Sequence, residues 1–286
     1  METLRVVVGL FYIICPLVLL PIYVRILCIF ISKKMYKKNE PYRIMILMGI
    51  IQCATAPAGY VLAGVVHLLD YDPWGIAAIA LKFYPGGFRA ESMISFVLAL
   101  NRFRIICGLR YPEVIHKVLM IFACCFGVTY TVLLFTPLCE YRIIPGHYLM
   151  EYNESILSCR MIQIIGSYFI TVPSFASLLL YIVMIGHMVK MRMKCNVPTG
   201  SAEERRILFY ALTRFVIEFS FVATYHYAAF PHYPEYDITI NVGLMFCSLL
   251  VSPALYLVFY RSLRQEFFPS NPYSISSSVN VFFVTR

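Results

Sequence analysis

Charge is what this chain has least of. Only 14% of its 286 residues are Asp, Glu, Lys or Arg, and 60% are hydrophobic, against about 25% charged in ordinary soluble domains. So little charge excludes one or two soluble domains of the usual kind. Tryptophan occurs once, at Trp74. No CxxC pair occurs among the ten cysteines, and Cys124 and Cys125 are adjacent, which argues against a zinc or dithiol site. Cys15, Cys28, Cys53, Cys107 and Cys247 stand singly in apolar runs, where cysteine serves as a small hydrophobe. His67, His116, His187 and His226 form no HxxxH or HExxH pair, and there is no GxSxG. The common signatures of a metalloprotease or a serine hydrolase are therefore missing, and no metal, cofactor or enzymatic activity is implied. No internal repeat is visible, which weakens an inverted-repeat transporter reading.

Apolar runs take the place of all this. They fall at about 6–31, 43–68, 80–105, 116–137, 161–188, 206–229 and 238–260. Each is near or above the roughly 20 residues that cross a bilayer. Pro16 and Pro21 lie inside the first, which membrane helices tolerate because neighbours re-satisfy the freed carbonyls. That first run is too long for a signal-peptide core and lacks a small-residue cleavage site, so it reads as a span. Trp74, in the loop after the second run, suits an interfacial anchor. Residues 261–268 suit a short amphipathic helix at the membrane surface. The expected division is a short extracellular N-terminus at 1–5, a seven-helix membrane domain at 6–268 and a disordered cytoplasmic tail at 269–286.

The net charge of +9 would suggest nucleic acid in a soluble protein, but its distribution points to a membrane surface. With the N-terminus outside, the inner segments 32–43, 102–117, 190–206 and 261–286 hold 17 of the 24 Lys and Arg. The outer segments hold only Arg5, Lys82, Arg142 and Arg160. The excess of positive charge on inner loops puts the N-terminus outside and the C-terminus in the cytoplasm. Membrane lipids are thus expected partners.

The third run carries the most informative residues. Glu91 and Arg102 are eleven positions apart, about 16 Å along a helix, so one can lie deep while the other meets the inner headgroups. Charges inside a membrane are costly and by default functional. Arg89 and Glu91, two apart, face different sides and should not pair. Arg214 and Glu218 in the sixth run are spaced i, i+4 and can pair locally. Tyr225, His226 and Tyr227 lie further out and can line an outer cavity with Glu91. Asn101-Arg102-Phe103 marks the inner end of the third run, where an arginine either snorkels to phosphates or acts as a switch held by Glu203 or Glu204. Ser252-Pro253-Ala254-Leu255-Tyr256 adds a proline with a tyrosine three residues on, near the inner end of the seventh run. Rotation at the proline would swing that phenol inward. Asn153-Glu154-Ser155 is a glycosylation sequon on the outer side.

Here the chain resembles the G-protein-coupled receptors. Asn101-Arg102-Phe103 matches the Asp/Glu-Arg-Tyr position, and Ser252-Pro253-Ala254-Leu255-Tyr256 matches Asn-Pro-x-x-Tyr. Closer still, Pro41-Tyr42-Arg43-Ile44-Met45-Ile46-Leu47-Met48-Gly49-Ile50-Ile51-Gln52, followed by Leu98-Ala99-Leu100-Asn101-Arg102, is similar to the nematode serpentine chemoreceptors, class T or a close relative. The resemblance spans about 6–268. It implies an all-α seven-transmembrane bundle of the rhodopsin-like receptor type, in the plasma membrane of a sensory neuron, with cilia a further expectation. It implies an extracellular small-molecule ligand and a cytoplasmic heterotrimeric G protein. The ligand is expected among Arg89, Glu91, Phe169, Glu218, Tyr225 and His226. The coupling switch is expected at Asn101, Arg102, Phe103, Glu203, Glu204, Pro253 and Tyr256.

Three departures qualify the resemblance. No cysteine lies between Cys53 and Cys107, so the usual disulfide to the outer end of helix three cannot form. Cys139 and Cys159 bracket the second outer loop and either pair with each other or remain two free thiols. Helix six lacks the Cys-Trp-x-Pro element. Asn101 replaces the acid beside the arginine and cannot make the usual ion pair. A transporter or channel lined by Arg89, Glu91 and Glu218 is the alternative reading.

Overall fold

The structure is a computed structural model. It describes residues 2–72, 75–143, 148, 150–153, 155–195, 202–227 and 233–268. The expected disordered tail at 269–286 and the anchor Trp74 lie outside the described residues.

The chain is built almost wholly from helices. In order they are α1 (Glu2–Ser32), α2 (Lys34–Lys38), α3 (Glu40–Leu69), α4 (Ile76–Leu81), α5 (Phe83–Ile106) and α6 (Val114–Phe135). A hairpin follows, β1 (Tyr141–Ile143) and β2 (Met150–Tyr152), then α7 (Leu157–Cys195) and α8 (Ala202–Tyr227). The last span is α9 (Pro234–Phe246), a π turn (Cys247–Val251) and α10 (Ser252–Phe259), and the short α11 (Arg261–Phe267) closes the described chain. Five of these segments are long and apolar enough to cross a membrane: α1, α3, α6, residues 157–191 of α7, and the α9–α10 unit. α5 and α8 complete a seven-helix bundle. With 24 and 26 residues they are about 36 and 39 Å long, and they are less apolar because they carry the buried charges. This is a multi-pass membrane protein.

Helix boundaries follow local chemistry. Pro41 sits in the first turn of α3, where its missing N–H costs nothing, so that helix starts at Glu40 and not near residue 43. Pro85-Gly86-Gly87 does not distort α5, because it falls in the first turn and a half, where the proline is tolerated. Pro253 has no N–H to offer the carbonyl one turn back, and the π turn at Cys247–Val251 lies on that side of it.

Close packing between spans depends on small residues. A methyl group on Gly86 of α5 would meet the Gly127 carbonyl of α6 at 2.5 Å, and one on Gly127 would meet the Gly86 carbonyl at 2.8 Å. Glycine lets the two backbones touch, as small residues do between membrane helices. Around the end of α1 an aromatic cluster joins α1, α2, α3 and α10. Phe30 lies 5.1 Å from Tyr36, 5.7 Å from Tyr42 and 5.4 Å from Tyr256, ring centre to ring centre, and Tyr260 lies 5.6 Å from Tyr42. Tyr256 therefore packs against Phe30 and Tyr23 of α1.

The glycine contact gives a test. Gly127→Leu has to push α5 and α6 apart, at a cost of about 1–3 kcal/mol from overpacking. Thermal unfolding in detergent should show a lowered midpoint, and an unchanged midpoint would contradict the tight contact.

Candidate functional site

The centre of the bundle holds one guanidinium between two carboxylates. Arg214 of α8 donates from Nη2 to Glu91 Oε1 of α5 at 2.6 Å, and the same nitrogen lies 3.2 Å from Glu218 Oε2 one turn along α8. Its Nη1 points at Met48 Sδ of α3, 2.6 Å away. Gln52 of α3 donates from Nε2 to Glu91 Oε1. The Gln52 carbonyl in turn accepts from the Tyr23 hydroxyl of α1 at 2.5 Å. One polar chain thus crosses four spans. Arg214, Glu91 and Gln52 are 3%, 4% and 1% exposed, so these contacts replace water almost completely. The local Arg214–Glu218 pair expected from the i, i+4 spacing is present, but the shorter contact is the one between helices.

A narrow cleft opens beside this cluster. Ser92 and Ser95 of α5, Ser174 and Ser177 of α7, and Glu218 line it among phenylalanines and Val222; its volume of about 10 Å³ is room for one water. The Ser177 hydroxyl is committed to the Pro173 carbonyl at 2.8 Å, which leaves its oxygen as an acceptor.

Arg89 belongs to a separate site near the start of α5. Its guanidinium lies 3.9 Å from the Tyr130 ring centre of α6. It donates to the Pro85 carbonyl at 2.9 Å and to the Tyr152 hydroxyl of β2 at 3.4 Å. A side chain on Gly166 of α7 would collide with it, so glycine there makes room for the buried charge. The hairpin carrying Tyr152 packs against this end of the bundle, where the Tyr152 hydroxyl also meets that of Tyr130. The Tyr148 carbonyl accepts from Asn241 Nδ2 of α9 at 2.9 Å, and its ring lies 5.1 Å from that of His67 of α3. A disulfide between Cys139 and Cys159 ties the hairpin to the start of α7. Asn153 follows the hairpin, and its amide donates to Glu140 at 2.7 Å.

At the far end of α5 a carboxylate from another helix organises the contacts. Asn101 Nδ2 of α5 donates to Glu40 Oε2, at the start of α3, at 2.7 Å. Arg104 lies 3.5 Å from the same oxygen. Glu40 Oε1 is 2.9 Å from His116 Nδ1 of α6, and His116 Nε2 is 2.9 Å from the Tyr111 hydroxyl. The Tyr111 hydroxyl donates its proton to the Leu100 carbonyl at 3.0 Å. A carboxylate only accepts, so Nδ1 carries the proton toward Glu40. Burial raises the Tyr111 phenol above its ordinary range, with Arg104 opposing and Glu40 adding to the shift, so it stays an O–H donor. Glu113 bridges toward Arg104 and Arg43 at 3.9 and 4.0 Å. These exposed contacts count for little, whereas Asn101 and His116 are buried where they meet the half-buried Glu40.

The structure therefore regroups the residues singled out in the sequence. Glu91 and Glu218 come together through Arg214. Arg89 faces the hairpin and α6. Phe169 does not join them, because it stacks on Phe126 of α6 with ring centres 3.5 Å apart and fills the seam between α6 and α7. Arg102 is 3% exposed at the inner end of α5, Phe103 is half-buried beside it, and Pro253 is buried. The side chains of Glu203, Glu204, Tyr225 and His226 lie outside the described residues. Sequence reasoning missed Tyr23, Gln52, Glu40, Tyr111 and the interhelical role of Arg214. A glutamine alone in an apolar run was the available signal, since a buried amide needs a partner.

No protein-family model matches the chain, and no curated protein matches it significantly. Among solved structures it is similar to squid rhodopsin, with a TM-score of 0.69 and 13% identity over 96% of this chain and 87% of that one. At that identity the likeness is one of fold. The chain is a seven-transmembrane bundle of the rhodopsin type.

The buried cluster sets an order of stabilities. Arg214→Met leaves two adjacent carboxylates without a cation and should cost about 3–5 kcal/mol. Glu91→Gln leaves one carboxylate to one guanidinium and should cost clearly less. Thermal unfolding of both variants in detergent checks this, and the reverse order would contradict the charge balance described.

Proposed function

We propose that this protein is a G-protein-coupled receptor. It binds a small molecule from the extracellular side in the outer half of the bundle and signals to a heterotrimeric G protein at the inner end. The observation that carries the reading is the rhodopsin-type bundle in which a buried ion pair, Arg214 to Glu91, joins α8 to α5. The inner excess of Lys and Arg supports an extracellular N-terminus and a cytoplasmic C-terminus in the plasma membrane. The resemblance of 41–52 and 98–102 to nematode chemoreceptors supports a chemosensory role, in sensory cilia. The sequon at Asn153 is read as glycosylated.

The pair acts as a latch. In a low-dielectric interior it holds α8 against α5 only while both partners meet, and separating them strands charges. A ligand that favours the separated arrangement shifts the balance by no more than its differential affinity for the two states. Its contacts are drawn from Arg89, Glu91, Glu218, Tyr225 and His226, with the serine-lined cleft leading to Glu218. Release of α8 would uncover Arg102, and with it Asn101, Phe103, Glu203, Glu204, Pro253 and Tyr256, to the G protein.

G-protein activation in cells tests the reading at both ends of α5. Arg102→Ala should abolish the response to an agonist while surface expression and ligand binding survive. Glu91→Gln, which weakens the latch yet keeps the charges balanced, should raise agonist-independent activation several-fold. Unchanged signalling in both variants would overturn the switch, and ligand-dependent flux through the protein would replace it with transport.

A further inference from the structure

We propose that His116 is a proton-operated clasp on the segment between α5 and α6. With both ring nitrogens protonated it joins Tyr111 to Glu40, and on losing one proton it lets the segment go. Residues 107–113 link the two helices, and Tyr111 is the one aromatic residue among them. Its ring stands edge-on to His116, with ring centres 5.4 Å apart. The hydroxyl therefore reaches two partners at once, the Leu100 carbonyl at 3.0 Å and His116 Nε2 at 2.9 Å. Three contacts compete here for the available protons. The Tyr111 hydroxyl has a single proton, and burial keeps it there by raising the phenol above its ordinary range. Once that proton is given to Leu100, the phenol oxygen faces Nε2 with lone pairs, so Nε2 has to donate. Nδ1 already donates to Glu40, because a carboxylate only accepts. All three contacts are met together only when the ring carries both protons. A neutral ring gives up either its bond to Tyr111 or the hold of Tyr111 on Leu100. His116 is fully buried, so bulk water does not replace the lost partner.

The surrounding charges leave that proton exchangeable. α3 brings Glu40 and Arg43, α5 brings Arg104, the segment itself brings Glu113, and α6 carries Lys117 next to the ring. Glu40 Oε1 is 2.9 Å from Nδ1, while Arg104 lies 3.5 Å from the other oxygen. Glu113 lies 3.9 Å from Arg104 and 4.0 Å from Arg43. The two acids already balance the two arginines. A charge on His116 is therefore held by hydrogen bonds and not by surplus negative charge, and Arg104 and Lys117 oppose it. Histidine changes charge between about pH 5 and 8. The clasp is closed on the acid side of that range and opens as pH rises through it. The segment begins just after Arg102, so its release alters the surface proposed above to meet a G protein. The clasp itself rests on the fold and not on that coupling, and its failure would leave the Arg214–Glu91 latch untouched.

Two measurements on the full-length protein in phosphatidylcholine nanodiscs test this. Nitrogen-15 NMR of histidine-labelled protein reads the ring protons, with the His116 signals identified as those moved by Tyr111→Phe. Both His116 nitrogens should be protonated at about pH 6, and one should have lost its proton by about pH 8.5. A spin label on a non-natural residue at Leu109, an exposed position of the segment, reads its motion. The ratio of mobile to immobile label should rise about fivefold over the same range, the change expected from losing one hydrogen bond. Tyr111→Phe keeps the ring but removes the hydroxyl, and should leave the label mobile throughout. His116→Gln should remove the pH response. A ring singly protonated at both pH values would overturn the proposal, as would no histidine signal moved by Tyr111→Phe. So would a ring that titrates without any change at Leu109, or the same pH response in His116→Gln. Should His116→Gln fail to fold, the ring signals and label motion of the native protein and of Tyr111→Phe decide.

Discussion

One guanidinium serving two carboxylates is the constraint on which this bundle turns. Charges taken out of water are stable only when paired and hydrogen-bonded, and here the pairing cannot be completed within one helix. Arg214 reaches Glu218 along α8, but Glu91 has to be satisfied from outside α5. Gln52 and Arg214 supply that from α3 and α8, and Tyr23 completes Gln52 from α1. The relative rotation of four spans is therefore tied to one polar chain. Apolar contacts alone would not select it, because lipid is as good a neighbour for leucine as another helix.

The two ends of the bundle meet different demands. The outer mouth is covered by a disulfide-tied hairpin whose Tyr152 and Tyr148 engage Arg89 and Asn241. The other end is organised by Glu40, which gathers Asn101 and Arg104 of α5 and His116 of α6. Asn101 is thus met by a carboxylate from the start of α3. Asn101 remains useful, since its amide can donate to Glu40 where an aspartate would repel it.

Much of the architecture was legible in the sequence, because the signals are local. Seven apolar runs need no knowledge of packing. The i, i+4 spacing of Arg214 and Glu218 foretold their contact for the same reason. The Arg214–Glu91 contact was not legible, because it depends on how α8 is rotated against α5, which spacing within one helix does not encode. Glu40 read as one acid among the lysines of a basic loop, and only its helical start beside α5 and α6 gives it a role. The expectation of Phe169 near the ligand rests on the resemblance. Its stacking on Phe126 is a matter of which way α7 faces, and a helix apolar all round carries little record of that.

The most direct measurement is the distance between the inner ends of α5 and α8, by pulsed electron resonance with spin labels on non-natural residues at Ile105 and Phe209, two exposed positions. Native protein without ligand should give a narrow distribution, and Glu91→Gln should add a population at longer distance. Identical distributions in the two proteins would contradict the claim that the buried ion pair holds α8 against α5.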